Sequence, residues 1–386
     1  MEVNRSEPWL LSFGIVENTS SPFWAMNATD STRMAPAALL KGGLLLAIIL
    51  LDISGNLMVL MAVLLNANLR TATNCLIVNL ALADLLLGAS VLPFSAALEI
   101  FDKQWYFGEI FCHVWAATDV LCCTASINSL CVISVDRYVG VTRPLTYSSV
   151  VTHRRALVAC VLVWLLSAVI SVGPLLGWRE PPPADPFVCE VTKQTGYVVF
   201  SVCFSFYVPT AVIIVLYYRI YRAATRQTKF LRTGVKTIKG GQLTLRAHTP
   251  CMAGDDASSA GVQGRLAKFK RQKKAAKTLG IVVGVFIICW FPFFFLLPLG
   301  TLCEQCTVPP LLFDFCFWSG YLNSCLNPFI YASTSREYKR AFCAILHCHW
   351  NKPREVPFFR DARHAWPGRA GHRSSCPAVS PNSEIR

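Results

Sequence analysis

Seven long apolar segments are the feature that most constrains this chain. They lie near residues 44–65, 75–98, 111–135, 157–176, 197–221, 279–299 and 311–331. Each has the length of about 20 residues that a helix needs to cross a hydrocarbon layer roughly 30 Å thick. Because backbone polar groups in lipid must hydrogen-bond to one another, the segments are predicted to be helices. A water-soluble fold would have to bury seven helices that lack a polar face, in a chain that is 54% hydrophobic and 15% charged.

The basic residues predict the orientation of these helices. Of the 36 Lys and Arg, six precede the first segment or lie in the loops after the second, fourth and sixth segments. The remaining Lys and Arg residues belong to the other side of the membrane, and they are concentrated in residues 219–278. Since Lys-rich and Arg-rich loops stay in the cytoplasm, the N-terminus is expected outside and the C-terminus inside. The net charge of +14 then suits an anionic lipid leaflet or an acidic partner, and no nucleic-acid partner is expected.

The termini and loops complete the predicted organisation. Residues 1–37 form an extracellular tail with three glycosylation sequons, at Asn4, Asn18 and Asn27. Residues 38–334 form the seven-helix transmembrane bundle, with a long cytoplasmic loop at about 222–270 that is Gly-, Ser- and Ala-rich and predicted to be disordered. An amphipathic helix at 335–348 lies along the membrane, and residues 349–386 are a cytoplasmic tail. The fold class is therefore an all-α integral membrane protein with seven transmembrane helices and a short amphipathic surface helix.

Several cysteines lie outside the apolar segments. Cys112 opens the third segment and Cys189 lies in the following external loop, so a disulfide between them is expected. Cys303 and Cys306 form a second external pair, which predicts a small loop disulfide. Cys343 and Cys348 in the amphipathic helix are candidate palmitoylation sites.

Three acids, Asp52, Asp84 and Asp119, lie within apolar segments. An unpaired acid at mid-bilayer costs on the order of 2.5–3.5 kcal/mol even on lenient insertion scales, so such residues usually face the bundle and have a function. The alternative for each is a buried acid that hydrogen-bonds neighbouring helices. Asp119 follows Cys112 by seven residues, which places it roughly 10 Å inside the outer end of its helix. A carboxylate at that depth can pair with a small ammonium ion that arrives from outside.

Aromatic residues surround the predicted position of this carboxylate. The sixth segment contains "CWFPFFF" (289–295) and the seventh contains "FDFCFWSGY" (313–321). Aromatic faces beside a buried anion suit a protonated amine through cation–π contacts, although aromatic residues also serve simply as helix packing. In the fifth segment Ser201 and Ser205 are spaced i, i+4, so both hydroxyls fall on one helix face. They either meet the adjacent hydroxyls of a catechol ring or bond their own backbone.

A series of motifs, in order and on the expected segments, resembles the rhodopsin-like G-protein-coupled receptors. They are "GN" with Asn56, "NLALADLLL" with Asp84, "DRY" at 136–138, Trp164, Pro209, "CWFP" at 289–292 and "NPFIY" at 327–331. The resemblance covers about residues 40–346. Within that family, "WAATDVLCCTASI", "VGPLLGWREP", "GYVVFS", "KKAAKTLGIVVG", "CWFPFFFLLPLG" and "SREYKRAF" are similar to the alpha-1 group of adrenergic receptors, which bind noradrenaline and adrenaline.

The resemblance implies a role for each of a set of residues. Asp119 pairs with the ligand ammonium, Tyr321 steadies it, and Ser201 and Ser205 meet the catechol. The other implied ligand contacts are Val120, Trp290, Phe293, Phe294 and Phe317. An implied allosteric sodium pocket, which favours the inactive state, consists of Asp84, Ser126, Asn323 and Asn327. No other metal, cofactor or catalytic residue is expected, and the chain is not expected to be an enzyme.

The resemblance also implies an activation mechanism at the plasma membrane. Ile127, Pro209 and Phe286 form a connector that repacks when agonist binds. The implied switch residues are Asp136, Arg137, Tyr138, Tyr217 and Tyr331, which rearrange as the sixth helix swings outward. The opened cleft takes a heterotrimeric G protein, expected to be of the Gq class and so linked to phospholipase C and calcium. Arrestins and receptor kinases are further expected partners. Considered without the resemblance, Arg137 has an alternative interpretation. It would then be a basic residue whose side chain extends to the polar edge of the membrane.

Three residue choices depart from the family pattern. Gln272 stands where related receptors have an acid that holds Arg137, which predicts raised signalling without ligand. Asp52 has no family role; it is either protonated or an extension of the Asp84 network. The Cys303/Cys306 pair lies outside the matched pattern.

Two other functions remain open at this stage. One is a receptor for another biogenic amine, such as octopamine, dopamine or serotonin. The other is a transporter or channel, although an odd number of segments disagrees with the paired halves of transporters.

Overall fold

The computed structural model describes residues 28–173, 185–189, 194–233, 256–303 and 305–347. All regular secondary structure in these ranges is helical. The predicted glycosylation sites Asn4, Asn18 and Asn27, the candidate palmitoylation site Cys348 and the tail at 349–386 lie outside the described residues.

Each apolar segment of the sequence forms a helix, here called spans one to seven. Span one is Ala28–Leu65, span two is Ala72–Ser90 continued by Leu92–Ile100, span three is Glu109–Thr142 and span four is His153–Ser171. Span five is Thr195–Val202, a π-helical turn at Cys203–Tyr207, and Val208–Thr233; span six is Asp256–Leu302, and span seven is Pro310–Thr334. The prediction of seven helices is confirmed.

Six of these spans, within the described part of the chain, are long and apolar enough to cross a membrane. Span seven has 25 residues, but it is less apolar because Asn323, Ser324 and Asn327 occupy its buried face. Elsewhere the apolar side chains point outward, as on span four, where Leu157, Val161, Leu162 and Leu165 are all more than half exposed. Such a surface suits lipid rather than water.

Span three is the centre of the bundle. It packs against spans two, four, five and six, and its Ile127, Leu130 and Ile133 are fully buried. Because lipid tails are as apolar as the helix surfaces, close packing and interhelical hydrogen bonds hold membrane helices together. Both occur here: Asn79 of span two donates to the hydroxyl of Ser129 over 2.8 Å.

Two spans contain local breaks that proline explains. Span two is interrupted at Val91, just before Pro93. In span five, Pro209 follows the π-helical turn. A proline ring clashes with the carbonyl four residues earlier, which is that of Ser205, and a π-helical turn is one way to relieve the clash. The break therefore adjusts the part of span five where the predicted ligand serines lie.

The predicted long loop at about 222–270 is too long at both ends. Span five continues to Thr233 and span six begins at Asp256, so helix covers 222–233 and 256–270. Hydropathy marks only the part of a helix that lies in lipid, whereas a helix satisfies its own backbone hydrogen bonds in water as well. The predicted helical continuation of "KFKRQKK" into span six is confirmed.

The short helix after span seven is Arg336–Leu346, and its amphipathic character is confirmed. Ser335 caps it by accepting a hydrogen bond from the backbone N–H of Tyr338 over 3.4 Å. Tyr338, Ala341 and Phe342 are buried, and the helix contacts spans one and seven. Cys343 is free and exposed.

Both predicted disulfides are present. Cys112 at the start of span three pairs with Cys189, with a Cα–Cα distance of 5.7 Å. Cys303 pairs with Cys306, with a Cα–Cα distance of 5.3 Å. The end of the bundle that carries Cys112–Cys189 is called the disulfide end below, and the end that carries Arg137 is called the Arg137 end.

Candidate ligand pocket and its connection to the Arg137 end

Asp119 lies two turns inside the disulfide end, on span three. One of its carboxylate oxygens accepts a hydrogen bond from the thiol of Cys123 over 3.5 Å. The buried hydroxyl of Tyr321, on span seven, lies beside the carboxylate of Asp119 and the hydroxyl of Ser95. A cation placed at these two groups would donate to the carboxylate and to the phenol oxygen.

Aromatic rings from spans six and seven adjoin this pair. Trp290 makes an edge contact with Tyr321 at 6.1 Å between ring centroids, and Phe317 contacts Tyr321 at 4.6 Å. Phe293 lies 5.4 Å from Phe317 and 5.8 Å from Trp290. The rings form a continuous apolar wall on one side of Asp119.

Gly320 is the reason that Trp290 can lie against span seven. A Cβ atom at Gly320 would approach the indole ring to 2.6 Å, a distance that real Cβ contacts do not adopt. Since Tyr321 follows Gly320 directly, the same close approach brings Trp290 to the phenol ring.

The serines of span five differ in their surroundings. Ser201 is half-buried, and its hydroxyl donates to the backbone carbonyl of Val198 over 3.2 Å. This is the bond to its own helix backbone that the sequence analysis gave as the alternative to a catechol contact. Ser205 is buried, and its oxygen accepts a hydrogen bond from the hydroxyl of Thr124 over 2.8 Å. Thr124 lies on span three and was missed, because a threonine within an apolar run carries no distinctive sequence signal. Val120, one residue after Asp119, is half-buried.

Deeper in the bundle Asp84 collects three hydrogen bonds. It accepts them from Ser126 over 2.8 Å, Ser324 over 3.1 Å and Asn327 over 2.8 Å. Sequence analysis named Asn323 rather than its neighbour Ser324. Asn323 is buried, but its amide nitrogen has no hydrogen-bond partner in the described structure.

This donor set fits a sodium ion. The carboxylate of Asp84 and the hydroxyl oxygens of Ser126 and Ser324 converge, and the amide oxygen of Asn327 is buried without a partner among the described residues. Hard monovalent cations favour such oxygen ligands. The hydroxyls that now donate to Asp84 can rotate to present their oxygens instead.

Asp52 connects to this network through Asn56. The amide of Asn56 donates to Asp52 over 2.7 Å and to the backbone carbonyl of Ser324 over 3.3 Å. The other carboxylate oxygen of Asp52 is buried, has no partner in the part of the chain that the structure describes, and faces Gly88, where a Cβ would lie 2.2 Å away. A residue larger than glycine at 88 would therefore exclude the acid.

The predicted connector residues lie between the candidate ligand pocket and the Arg137 end. Ile127, Pro209 and Phe286 are all buried. Phe286 lies 6.5 Å from Trp290 and 6.4 Å from Phe206, measured between ring centroids. Phe206 in turn stacks on Phe294 at 4.5 Å. Continuous ring contacts thus join the wall beside Asp119 to the middle of the bundle.

Arg137 is held by several partners. Its guanidinium pairs with Asp136, and it donates to Thr73 over 2.6 Å, to the Tyr147 hydroxyl over 2.9 Å and to Gln272 over 3.3 Å. The Tyr147 hydroxyl donates to Asp136 over 2.7 Å, and burial raises the pKa of this phenol to about 12, so it remains a donor at neutral pH. Thr73 and Tyr147 were missed, because their roles depend on how spans two and three meet.

The three tyrosines that were grouped with Arg137 have separate positions. Tyr138 packs against an apolar cluster that includes Val141 and Ile220. The hydroxyl of Tyr217 lies beside Ser134, and that of Tyr331 is buried without a direct partner in the described structure. Tyr331 contacts Tyr338 of the amphipathic helix at 5.6 Å between centroids.

Comparison with known proteins agrees with this arrangement. The family model described as 7 transmembrane receptor (rhodopsin family) matches residues 55–331. An alpha-1D adrenergic receptor from Sus scrofa is 50% identical over 353 residues, which cover 87% of this chain and 62% of the relative. An alpha-1A adrenergic receptor from Oryctolagus cuniculus is 48% identical over 340 residues, covering 84% of this chain and 73% of the relative.

The human alpha-1A adrenergic receptor shows the same level of similarity, 48% over 340 residues. The chain spans about 62% of the length of the alpha-1D relative. The chain belongs to the rhodopsin family of seven-transmembrane receptors, and its sequence is similar to that of alpha-1 adrenergic receptors over most of its length.

Proposed function

We propose that this protein is a plasma-membrane receptor for catecholamines, noradrenaline or adrenaline, of the alpha-1 type. The observation that carries the proposal is the position of the buried Tyr321 hydroxyl beside the carboxylate of Asp119. A protonated amine bound there would donate to both oxygens, and the aromatic wall would cover its charge and its ring. The names of the relatives support this ligand class.

The catechol ring is proposed to extend from Asp119 towards span five. Ser205 already accepts a hydrogen bond from Thr124, so its own proton is available for a ring hydroxyl. Ser201 would exchange its bond to the Val198 carbonyl for the second ring hydroxyl. The ring contacts would come from Val120, Phe293, Phe294 and Phe317.

Activation is proposed to be a shift between two populated arrangements of the bundle. An agonist can shift them only by binding the open arrangement more tightly than the closed one. The ring contacts from Trp290 through Phe286 to Phe206 support a route by which the pocket influences span six. The hydrogen bond between Arg137 and Gln272 would break as span six swings outward, and the cleft would admit a G protein of the Gq class. The same cytoplasmic surface would take arrestins and receptor kinases.

The N-terminus is proposed to be extracellular. The positive-inside rule supports this orientation, because the loop between spans five and six is rich in Lys and Arg. The disulfide end then faces the oxidising exterior, where disulfides persist. The candidate sodium pocket around Asp84 would favour the closed arrangement.

A calcium assay in transfected cells tests the ligand class, with noradrenaline, octopamine and serotonin applied side by side. Noradrenaline should be the most potent, because it has two adjacent ring hydroxyls where octopamine has one. Ser205→Ala should weaken noradrenaline about tenfold, the equivalent of one hydrogen bond of about 1.4 kcal/mol, and should leave phenethylamine unchanged. Equal or greater potency of octopamine or serotonin would favour the receptor for another amine.

A further inference from the structure

Two free cysteines on different helices contact each other outside the ligand pocket. Cys75 lies in span two and Cys160 in span four. The thiol of Cys160 lies beside that of Cys75. Both residues are half-buried and pack against the core of the bundle.

The packing of spans two and four explains why these thiols meet. The two spans run in the same direction, each towards the disulfide end, and they are in contact. The indole N–H of Trp164 donates to the side-chain oxygen of Asn79 over 3.0 Å. Cys75 and Cys160 each precede one of these residues by four positions, so they face each other one turn nearer the Arg137 end.

Small residues keep the two helices close on either side of the cysteines. Ala156 is buried one turn beyond Cys160, and Ala83, one turn beyond Asn79, packs in a cluster with Val163 and Trp164. Small side chains allow helix backbones to approach each other in membranes. The close packing of the two helices therefore places the two thiols next to each other.

The position of Cys75 favours oxidation chemistry. It lies in the first turn of the helix Ala72–Ser90, whose N-terminus is capped by Thr71. This turn lies near the Arg137 end of the bundle, where the half-buried thiol is accessible to a small oxidant. Cys160 lies in contact as a second thiol that can resolve an oxidised Cys75.

We propose that Cys75 and Cys160 form a reversible disulfide between spans two and four when the receptor meets hydrogen peroxide. The sulfur of Cys75 attacks one peroxide oxygen, the O–O bond breaks, and sulfenic acid and one water form. The sulfur of Cys160 then attacks the sulfenic sulfur, the S–O bond breaks, and a second water leaves with the thiol proton. One peroxide is reduced and two thiols are oxidised, so the step is balanced.

The disulfide would be transient in the proposed topology. The Arg137 end faces the cytosol there, where thiol reductants reverse such bonds. The bond would also fix span two next to Thr73, which lies two residues before Cys75 and holds Arg137.

Peptide mapping of the full-length receptor in cell membranes tests this inference. Membranes are treated with hydrogen peroxide, free thiols are blocked with N-ethylmaleimide, and the receptor is digested with trypsin without reduction. Cleavage after Arg70, Lys103, Arg155 and Arg179 releases peptides 71–103 and 156–179, each with a single cysteine. The expected product is these two peptides joined, lighter by two hydrogens than their sum, and cleaved by dithiothreitol.

The controls make either result decisive. The joined peptide should be absent from Cys75→Ser and Cys160→Ser receptors and present in Cys131→Ser, a free cysteine elsewhere on span three. The Cys112–Cys189 linkage in the same digest verifies that disulfides survive the procedure. The inference is wrong if that linkage is found while peptides 71–103 and 156–179 stay separate. This holds whether their cysteines are alkylated or are oxidised beyond sulfenic acid.

Discussion

Arg137 of span three donates a hydrogen bond to the side-chain oxygen of Gln272 in span six, over 3.3 Å. Gly140, three residues after Arg137, makes room for this contact, because a Cβ there would lie 2.6 Å from the same oxygen. The amide of Gln272, at the position where the resemblance implies an acid, thus joins the two helices without a full negative charge.

Gln272→Glu is therefore expected to lower signalling without ligand. A carboxylate would give the guanidinium a charge-assisted bond, stronger by about 1 kcal/mol, and would reduce the open population roughly fivefold. Basal inositol phosphate production, normalised to surface receptor, is the measurement. Gln272→Met serves as the control of similar length without an acceptor and should not fall below wild type. Equal basal output from Gln272→Glu and wild type would show that this contact does not set the resting state.

A second prediction concerns the close approach of spans six and seven at Gly320. In Gly320→Ala the new methyl group would meet the indole of Trp290, which Phe293, Phe294 and Tyr321 surround. We expect overpacking to lower the stability of the receptor by about 1–3 kcal/mol. The measurement is the temperature at which half of the antagonist binding is lost in detergent, and this temperature should fall.

The matched control is Gly284→Ala, on span six. A Cβ at Gly284 meets nothing within 4 Å, and alanine is a better helix former than glycine. If the two variants lose binding at the same temperature, the contact between Gly320 and Trp290 is not a constraint on the fold.

A third prediction concerns the proposed sodium pocket. Replacing sodium chloride with N-methyl-D-glucamine chloride should raise agonist affinity in membranes, because sodium would favour the closed arrangement. Ser324→Ala removes one oxygen beside Asp84 and should reduce this dependence. Ser333→Ala, whose hydroxyl bonds only the backbone of Ile330 in the described structure, should retain it. If sodium does not change the affinity of the wild-type receptor for agonist, the proposed sodium pocket around Asp84 is wrong.

The helices were predictable from the sequence because lipid imposes a simple rule on the chain. Apolar stretches such as 44–65 and 279–299 must become helices to satisfy their backbones, and both did. The ends of spans five and six were not predictable in the same way, since beyond the lipid a helix needs no apolar signal. The disulfides followed from the external positions of four cysteines.

The site was predictable only in part. Asp119 and Asp84 were recognisable because acids are costly in lipid, and the aromatic residues because they cluster. Thr124, Ser324 and Tyr147 were not, because hydroxyl residues are common in membrane helices and their partners come from other spans. The contact between Cys75 and Cys160 likewise depends on the register of two helices, which the sequence does not display.

Replacing Asp119 with asparagine tests the account most directly. Asp314→Asn is the control, because Asp314 is also an acid at the disulfide end, where it pairs with Lys103 rather than lining the aromatic wall. With both variants matched to wild type for surface expression, competition binding should show that Asp119→Asn weakens adrenaline by about 100-fold or more, a loss of about 3 kcal/mol for a buried charge pair. Asp314→Asn should stay close to wild type. Unchanged affinity for adrenaline in Asp119→Asn would mean that the ammonium binds elsewhere and that the proposed pocket is wrong.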